Sequence, residues 1–165
     1  MDFQEIPGMT SPVQLDLVSR LCYNVPENGW IVEIGCYCGR QSLVIGRSKK
    51  DSILLSCIDY FPNEDYDDWK EYTSYLKNVE AVKTKSPLGL SNVMFSKLIN
   101  LLIIDLNDIY DNLIYWHKFV EINGCIVVHT YEYEDLFQEV DKFLKNHTNF
   151  SHNDLGYTSI LTRIK

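Results

Sequence analysis

Four polar groups recur where apolar runs of this chain stop: Glu33 with Gly35 after residues 30–32, Asp59 after 53–58, Asp105 after 101–104, and His129 after 125–128. A carboxylate only accepts hydrogen bonds, and an imidazole with its ordinary pKa near 6.5 can take or give a proton close to neutral pH. The most informative stretch is Glu33-Ile34-Gly35-Cys36-Tyr37-Cys38-Gly39. Gly35 and Gly39 allow positive φ and close approach of backbone to a ligand, and a helix opening at Gly39 offers its unpaired first-turn amides. That is the build of a site for a nucleotide-like ligand, although the same glycine pair also fits a plain strand-to-helix turn. The spacing is not Gly-x-Gly-x-x-Gly, which disfavours NAD and FAD. No Gly-Lys-Ser/Thr follows, which excludes a P-loop.

These groups need a scaffold that brings strand ends together. Ser11-Pro12-Val13-Gln14 combines an N-cap, a first-turn proline and a capping-box glutamine, so a helix starts there, with Val13, Leu17 and Leu21 as its expected buried stripe. A strand precedes Gly35, a helix of three turns runs from Gly39, and residues 53–58 read as a second buried strand. Residues 65–79 read as helix, 80–84 as a short strand, 87–97 as helix, 101–105 as a central strand and 110–121 as helix. Asn123-Gly124 is the expected turn into a strand over 125–129. A helix over 133–146, through Leu136, Val140 and Leu144, precedes an antiparallel pair at 150–151 and 159–164. Alternation of this kind predicts one α/β domain over 1–165: a doubly wound, Rossmann-like, mostly parallel seven-stranded sheet whose final strand is antiparallel, with ligands at the carboxyl ends.

With 165 residues, 45% of them hydrophobic, the chain can bury a core without metal or disulfides. Five cysteines, an odd number without a Cys-x-x-Cys pair, read as reduced core residues, with Cys36 and Cys38 the two close enough to the loop to react with a ligand. No apolar run approaches a membrane span and the start lacks signal-peptide character, so a cytoplasmic protein is expected. A net charge of −8 argues against a nucleic-acid substrate, which calls for a basic face.

The motif resembles the first motif of class I S-adenosylmethionine (SAM) dependent methyltransferases. Nearly the whole chain is similar to a small group of them that includes sugar and antibiotic-glycoside O-methyltransferases. The matching pieces, in order, are Ile6-Pro7-Gly8, Val32-Glu33-Ile34-Gly35 with Gly39-Arg40-Gln41-Ser42, Ile58-Asp59-Tyr60-Phe61, Ile103-Ile104-Asp105 with Tyr110, and residues 123–129 ending in His129. The resemblance implies that Gly35, Cys36, Tyr37, Gly39 and Ser42 underlie the methionine and ribose of SAM. It gives the ribose hydroxyls to Asp59 and the glycine loop or the methionine ammonium to Glu33. Tyr60, Asp105 and Ser86 complete the cofactor site, with Lys85 and Ser86 beside the adenine. Two departures stand out. Asp108 occupies a position where the family often has a histidine, and Thr130 follows His129 where the family often has an aspartate that in some members binds a divalent metal. Asp105, Asn107, Asp108, Glu132 and Glu134 offer oxygen ligands, but the expectation is no metal.

Transfer of a sulfonium methyl asks mainly for an acceptor held in line with it, and a base helps when the acceptor is a hydroxyl. His129 is the first candidate base, provided its ring faces the cleft; Asp108 and Asp105 are the other catalytic candidates. Absence of an Asn/Asp-Pro-Pro-aromatic sequence after the fourth strand removes support for methylation of nucleic-acid bases. The expected partners are a small-molecule acceptor such as a sugar or glycoside, no nucleic acid and no membrane, with the cleft either open or covered by a second copy in a homo-oligomer. The competing readings are a SAM-binding protein without transferase activity, such as a regulator or partner subunit, and an α/β protein for another nucleotide.

Overall fold

The computed structural model describes residues 3–62, 64–87, 97–129 and 134–165. Among these residues seven strands form one sheet: β1 (Trp30–Ile34), β2 (Leu54–Asp59), β3 (Val79–Lys83), β4 (Ile99–Ile104), β5 (Val120–His129), β6 (Phe150–Asp154) and β7 (Thr158–Arg163). Their order is β3-β2-β1-β4-β5-β7-β6. The first five run parallel, and β7 lies antiparallel to both β5 and β6. This is the expected sheet. The central strands are mostly apolar because helices cover both faces; all five residues of β1 are buried, Glu33 among them.

Helices α1 (Pro12–Asn24), α2 (Arg40–Ser48) and α3 (Asp65–Thr73) cover one face, where Val18, Cys22, Ile45 and Trp69 pack on Ile31, Leu55, Leu101, Ile103 and Val127. Helices α4 (Ile109–Trp116) and α5 (Glu134–Asn146) cover the other, with Leu113, Trp116, Val140 and Phe143 against Val32, Ile34, Leu102 and Ile126. Side chains alternate between the two faces of a strand. In this register Glu33 is level with Cys57 on β2 and with Ile103 on β4, which is level with Val127 on β5. Two residues on from Cys57, Ile103 and Val127 come Asp59, Asp105 and His129, so all four polar groups belong to the face that α1–α3 cover.

Several elements differ from expectation. The buried side of α1 is Gln14, Leu15, Val18 and Cys22, while Val13 is exposed and Leu17 and Leu21 are only partly covered. Capping fixed where the helix starts, but polar Gln14 is drawn inward by buried partners that lie far away in sequence. Helix α3 stops at Thr73, and Asn78, with φ of 50°, turns the chain into β3. Helix α4 ends at Trp116, followed by a 3-10 turn at His117–Phe119. Asn123-Gly124 is not the entry turn of β5; it lies inside the strand at a break in register with β4, with Asn123 at φ of 67°. The helix expected over 87–97 falls almost wholly outside the described residues. Among the described residues no helix is long and apolar enough to cross a membrane.

Candidate cofactor site

Strand order reverses at β1, whose neighbours β2 and β4 follow it in opposite directions across the sheet. In doubly wound sheets ligands lie outside the carboxyl ends at such a point. Among the described residues two cavities open there. One, of about 300 Å3, is lined by Gly35, Cys36 and Tyr37 of the glycine loop, by Arg40 and Gln41, by Asp59, Asp105 and Leu106, and by residues 7–10. The other, of about 630 Å3, is lined by Ile58, Asp59, Tyr60, Lys85, Ser86, Leu106, Asn107 and Asp108. They share Asp59 and Leu106.

Asp59 organises this junction. Its Oδ2 accepts the amides of Cys36 at 2.6 Å and Tyr37 at 2.9 Å, and its Oδ1 accepts the amide of Phe61 at 2.9 Å. Tyr37 and Phe61 both adopt left-handed φ, 45° and 48°, a conformation costly for residues with a Cβ. The carboxylate therefore holds two strained turns. Gly35 and Gly39 also have positive φ, 86° and 91°; Gly39 lets α2 begin against the Trp69 ring.

Glu33 and Ser42 are fully buried below the loop and line neither cavity. Ser42 donates to Glu33 Oε2 at 2.5 Å, Gln41 to Oε1 at 3.3 Å and Cys57 to Oε2 at 3.3 Å, while Trp69 Nε1 donates to Ser42. The expected contact of Ser42 with the ligand, and of Glu33 with its ammonium, is corrected; orienting the glycine loop is the role that remains for Glu33, because strand parity turns it under α2. Burial pushes its carboxyl up to about 7 against these hydrogen bonds, with the nearby Asp105 charge adding to the rise.

His129 is corrected in the same way. Its ring does not face the cleft but is fully buried. Gln41 already donates its amide to Glu33, so its Oε1 accepts from His129 Nε2 at 2.9 Å. Nδ1 is then the acceptor, facing Thr158 Oγ1 at 3.1 Å and Gln14 Nε2 at 3.3 Å. Both nitrogens are engaged, and burial lowers the pKa. The imidazole ties α1, α2, β5 and β7 together.

The remaining residues sort by exposure. Tyr37 and Tyr60 are exposed beside the cavities, whereas Phe61, Tyr66 and Trp69 pack on one another. Ser86 borders the second cavity, but its hydroxyl donates to Asn112 and accepts from Trp116. Asp108 is exposed at the edge of the second cavity, and Asp105 accepts from Thr10 Oγ1 at 3.1 Å. Thr130 and Glu132 lie outside the described residues, as does the side chain of Glu134. Among the described residues, Glu33, Cys36 and Cys57 form the converging set of metal-binding types, and it is buried. All five cysteines are free thiols. Burial raises Cys36 well above its ordinary value and pushes Cys38 up to about 11, which disfavours reactive thiolates.

Residues 7–10, Arg40 and Leu106 were not among the expected site residues, although Pro7, Gly8 and Arg40 belong to the matching pieces. Residues 7–10 precede the first capping signal and carry no periodic pattern. Only folding of Ile6 into the small core with Cys38 and Leu43 brings them over the glycine loop.

Opposed titrations follow from the Glu33–His129 network. A carboxyl whose folded pKa is raised contributes stability fully below its ordinary 4.5 and loses it as pH rises to about 7, at about 1.4 kcal/mol per pH unit. His129 and His117, lowered by burial from 6.5, contribute stability above that value and lose it as pH falls. The slopes oppose each other between 4.5 and 6.5. In Glu33→Gln the melting temperature is expected to fall on acidification from pH 6.5 to 5 more steeply than in the parent. Identical profiles would show that Glu33 is not protonated in the folded protein over that range.

No protein-family model matches the sequence, and no curated protein matches it. Solved structures do. A SAM-dependent O-methyltransferase from Thermotoga maritima superposes with a TM-score of 0.77 at 13% identity, over 96% of this chain and 68% of that one. The O-methyltransferase TomG from Streptomyces achromogenes, involved in tomaymycin synthesis and solved with SAM, gives 0.74 at 14% identity, over 95% and 82%. A precorrin 8w decarboxylase from Methanobacterium thermoautotrophicum gives 0.74 at 18%, over 98% and 95%. Strand order and the antiparallel β7 therefore match the Rossmann-like fold of these methyltransferase structures.

Proposed function

We propose that the protein binds SAM across the paired cavities and transfers its methyl group to an oxygen of a small molecule. The observation that carries this reading is the junction at Asp59, where a smaller cavity floored by the glycine loop meets a larger one at the switch point of the sheet. An amino-acid arm suits the first and a nucleoside the second. In this reading the methionine arm lies over Gly35, Cys36 and Tyr37, the ribose meets Asp59, and the adenine lies among Tyr60, Ser86 and Leu106. Gly39, Ser42 and Glu33 act from below by shaping the loop.

The reaction needs the acceptor oxygen held in line with the sulfonium carbon. Asp105 lines the first cavity at the end of β4 and is the candidate group to take the acceptor's proton; exposed Asp108 is the second. His129 is a positioning residue that acts through Gln41. A third cavity, of about 750 Å3, shares Met9 with the first and is lined by Val13, Leu17, Leu155 and Tyr157 among others. Its apolar wall suits the body of an aromatic or aliphatic hydroxyl compound better than a bare sugar.

A second reading, SAM binding without turnover, is favoured by the engagement of both His129 nitrogens within the fold. Calorimetric titration with SAM, S-adenosylhomocysteine and NAD tests the first step. Micromolar binding of the two adenosyl amino acids without NAD binding supports the site. NAD binding without them overturns it, and release of S-adenosylhomocysteine during an acceptor screen separates enzyme from binder.

A further inference from the structure

We infer that Arg40 is the anchor for the carboxylate of the ligand's amino-acid arm, an assignment that rests on the SAM reading above. Arg40 is the first residue of α2, directly after Gly39, and lines the smaller cavity. Its Nη1 donates to the Gly8 carbonyl at 3.0 Å. Gly8 lies so close on the arginine stem that a Cβ there would be 2.8 Å from Arg40 Cδ. The guanidinium is thus pinned from above at the cavity wall. Its Nε is buried and has no hydrogen-bond partner, the one such side-chain nitrogen or oxygen among the described residues.

Charge in the cavity is arranged for a zwitterion. Its lining carries both signs of charge, Arg40 as well as Asp59 and Asp105. The neighbouring polar groups are committed elsewhere: Gln41 spends its amide on Glu33 and His129, and Asp59 holds the loop amides. A planar guanidinium fork matches a carboxylate in a way a single ammonium does not. The N-terminus of α2, capped by Gly39 without a side-chain hydrogen bond, favours negative charge on the same side.

The test compares S-adenosylhomocysteine, which carries the amino-acid arm, with 5′-methylthioadenosine, which lacks it, by calorimetry on the parent, Arg40→Gln and Arg40→Lys. The parent is expected to prefer S-adenosylhomocysteine by about tenfold or more. Arg40→Gln should lose about tenfold for S-adenosylhomocysteine while 5′-methylthioadenosine stays within about twofold, and Arg40→Lys should fall between. Equal weakening of both ligands would mean a merely structural role and would overturn the assignment, as would unchanged binding of both. If Arg40→Gln does not fold, the same two-ligand comparison on Arg40→Lys decides the matter. A parent that binds neither ligand removes the SAM reading and this inference together, whereas a parent that binds both equally removes only the inference.

Discussion

Gly35→Ala is expected to destabilise the protein by about 3 kcal/mol, with about 1 kcal/mol from left-handed backbone and about 2 kcal/mol from forced packing. Gly35 has φ of 86°, and an added Cβ would stand 2.2 Å from the carbonyl oxygen of Asp105 and 2.9 Å from its carbonyl carbon. Both are backbone atoms at the end of β4, so relief requires the ends of β1 and β4 to part. Leu106 Cδ2, at 3.0 Å, could yield; the backbone cannot yield without breaking the hydrogen bond that the Asp105 amide donates to the Ile34 carbonyl. In a domain of this size the melting temperature should drop by about 10 °C. Gly156→Ala is the control, because Gly156 has φ of 81° and nothing within 4 Å of its virtual Cβ. It should cost only the conformational share, about 1 kcal/mol. Thermal melts of the two variants side by side check this, and equal losses would deny the close approach any energetic role.

The second large effect falls on binding. Asp59→Ala should weaken S-adenosylhomocysteine about 100-fold or more, equivalent to about 2.7 kcal/mol, while the melting temperature changes by a few degrees. The carboxylate accepts amides from both turns that border the junction, and without it Tyr37 and Phe61 have less reason to keep positive φ. Loss of the clamp and loss of an acceptor for the ribose hydroxyls then act together. Asp59→Asn, which keeps one carbonyl oxygen, should lose less. Calorimetry with S-adenosylhomocysteine measures both variants; binding within about threefold of the parent would remove Asp59 from the site.

The polar strand ends were legible because they follow apolar runs. Asp59, Asp105 and the glycine loop meet as that pattern implied. Glu33 and His129 follow the same rule yet point under α2, and no one-dimensional pattern separates the two outcomes. The difference depends on where each strand stops relative to the helix that covers it. Gln14 makes the same point. Its place in the capping box is local, with Ser11 and Gln14 bonding reciprocally. Its burial against His129 and Tyr157 spans more than 110 residues of sequence and overrode the apolar stripe expected from Val13, Leu17 and Leu21.

By itself the sequence determined the alternation of strands and helices, the left-handed glycine turn and the start of α1, because backbone sterics, capping and apolar continuity act over a few residues. Only the tertiary structure decided which polar groups reach the cavities. Register placed Glu33, Asp59, Asp105 and His129 on one face, and α1 and α2 then buried two of them. Residues 7–10 and Arg40 entered the site through packing of Ile6 and Gly8 against the start of α2. Such contacts join segments whose own sequences specify neither the partner nor the distance.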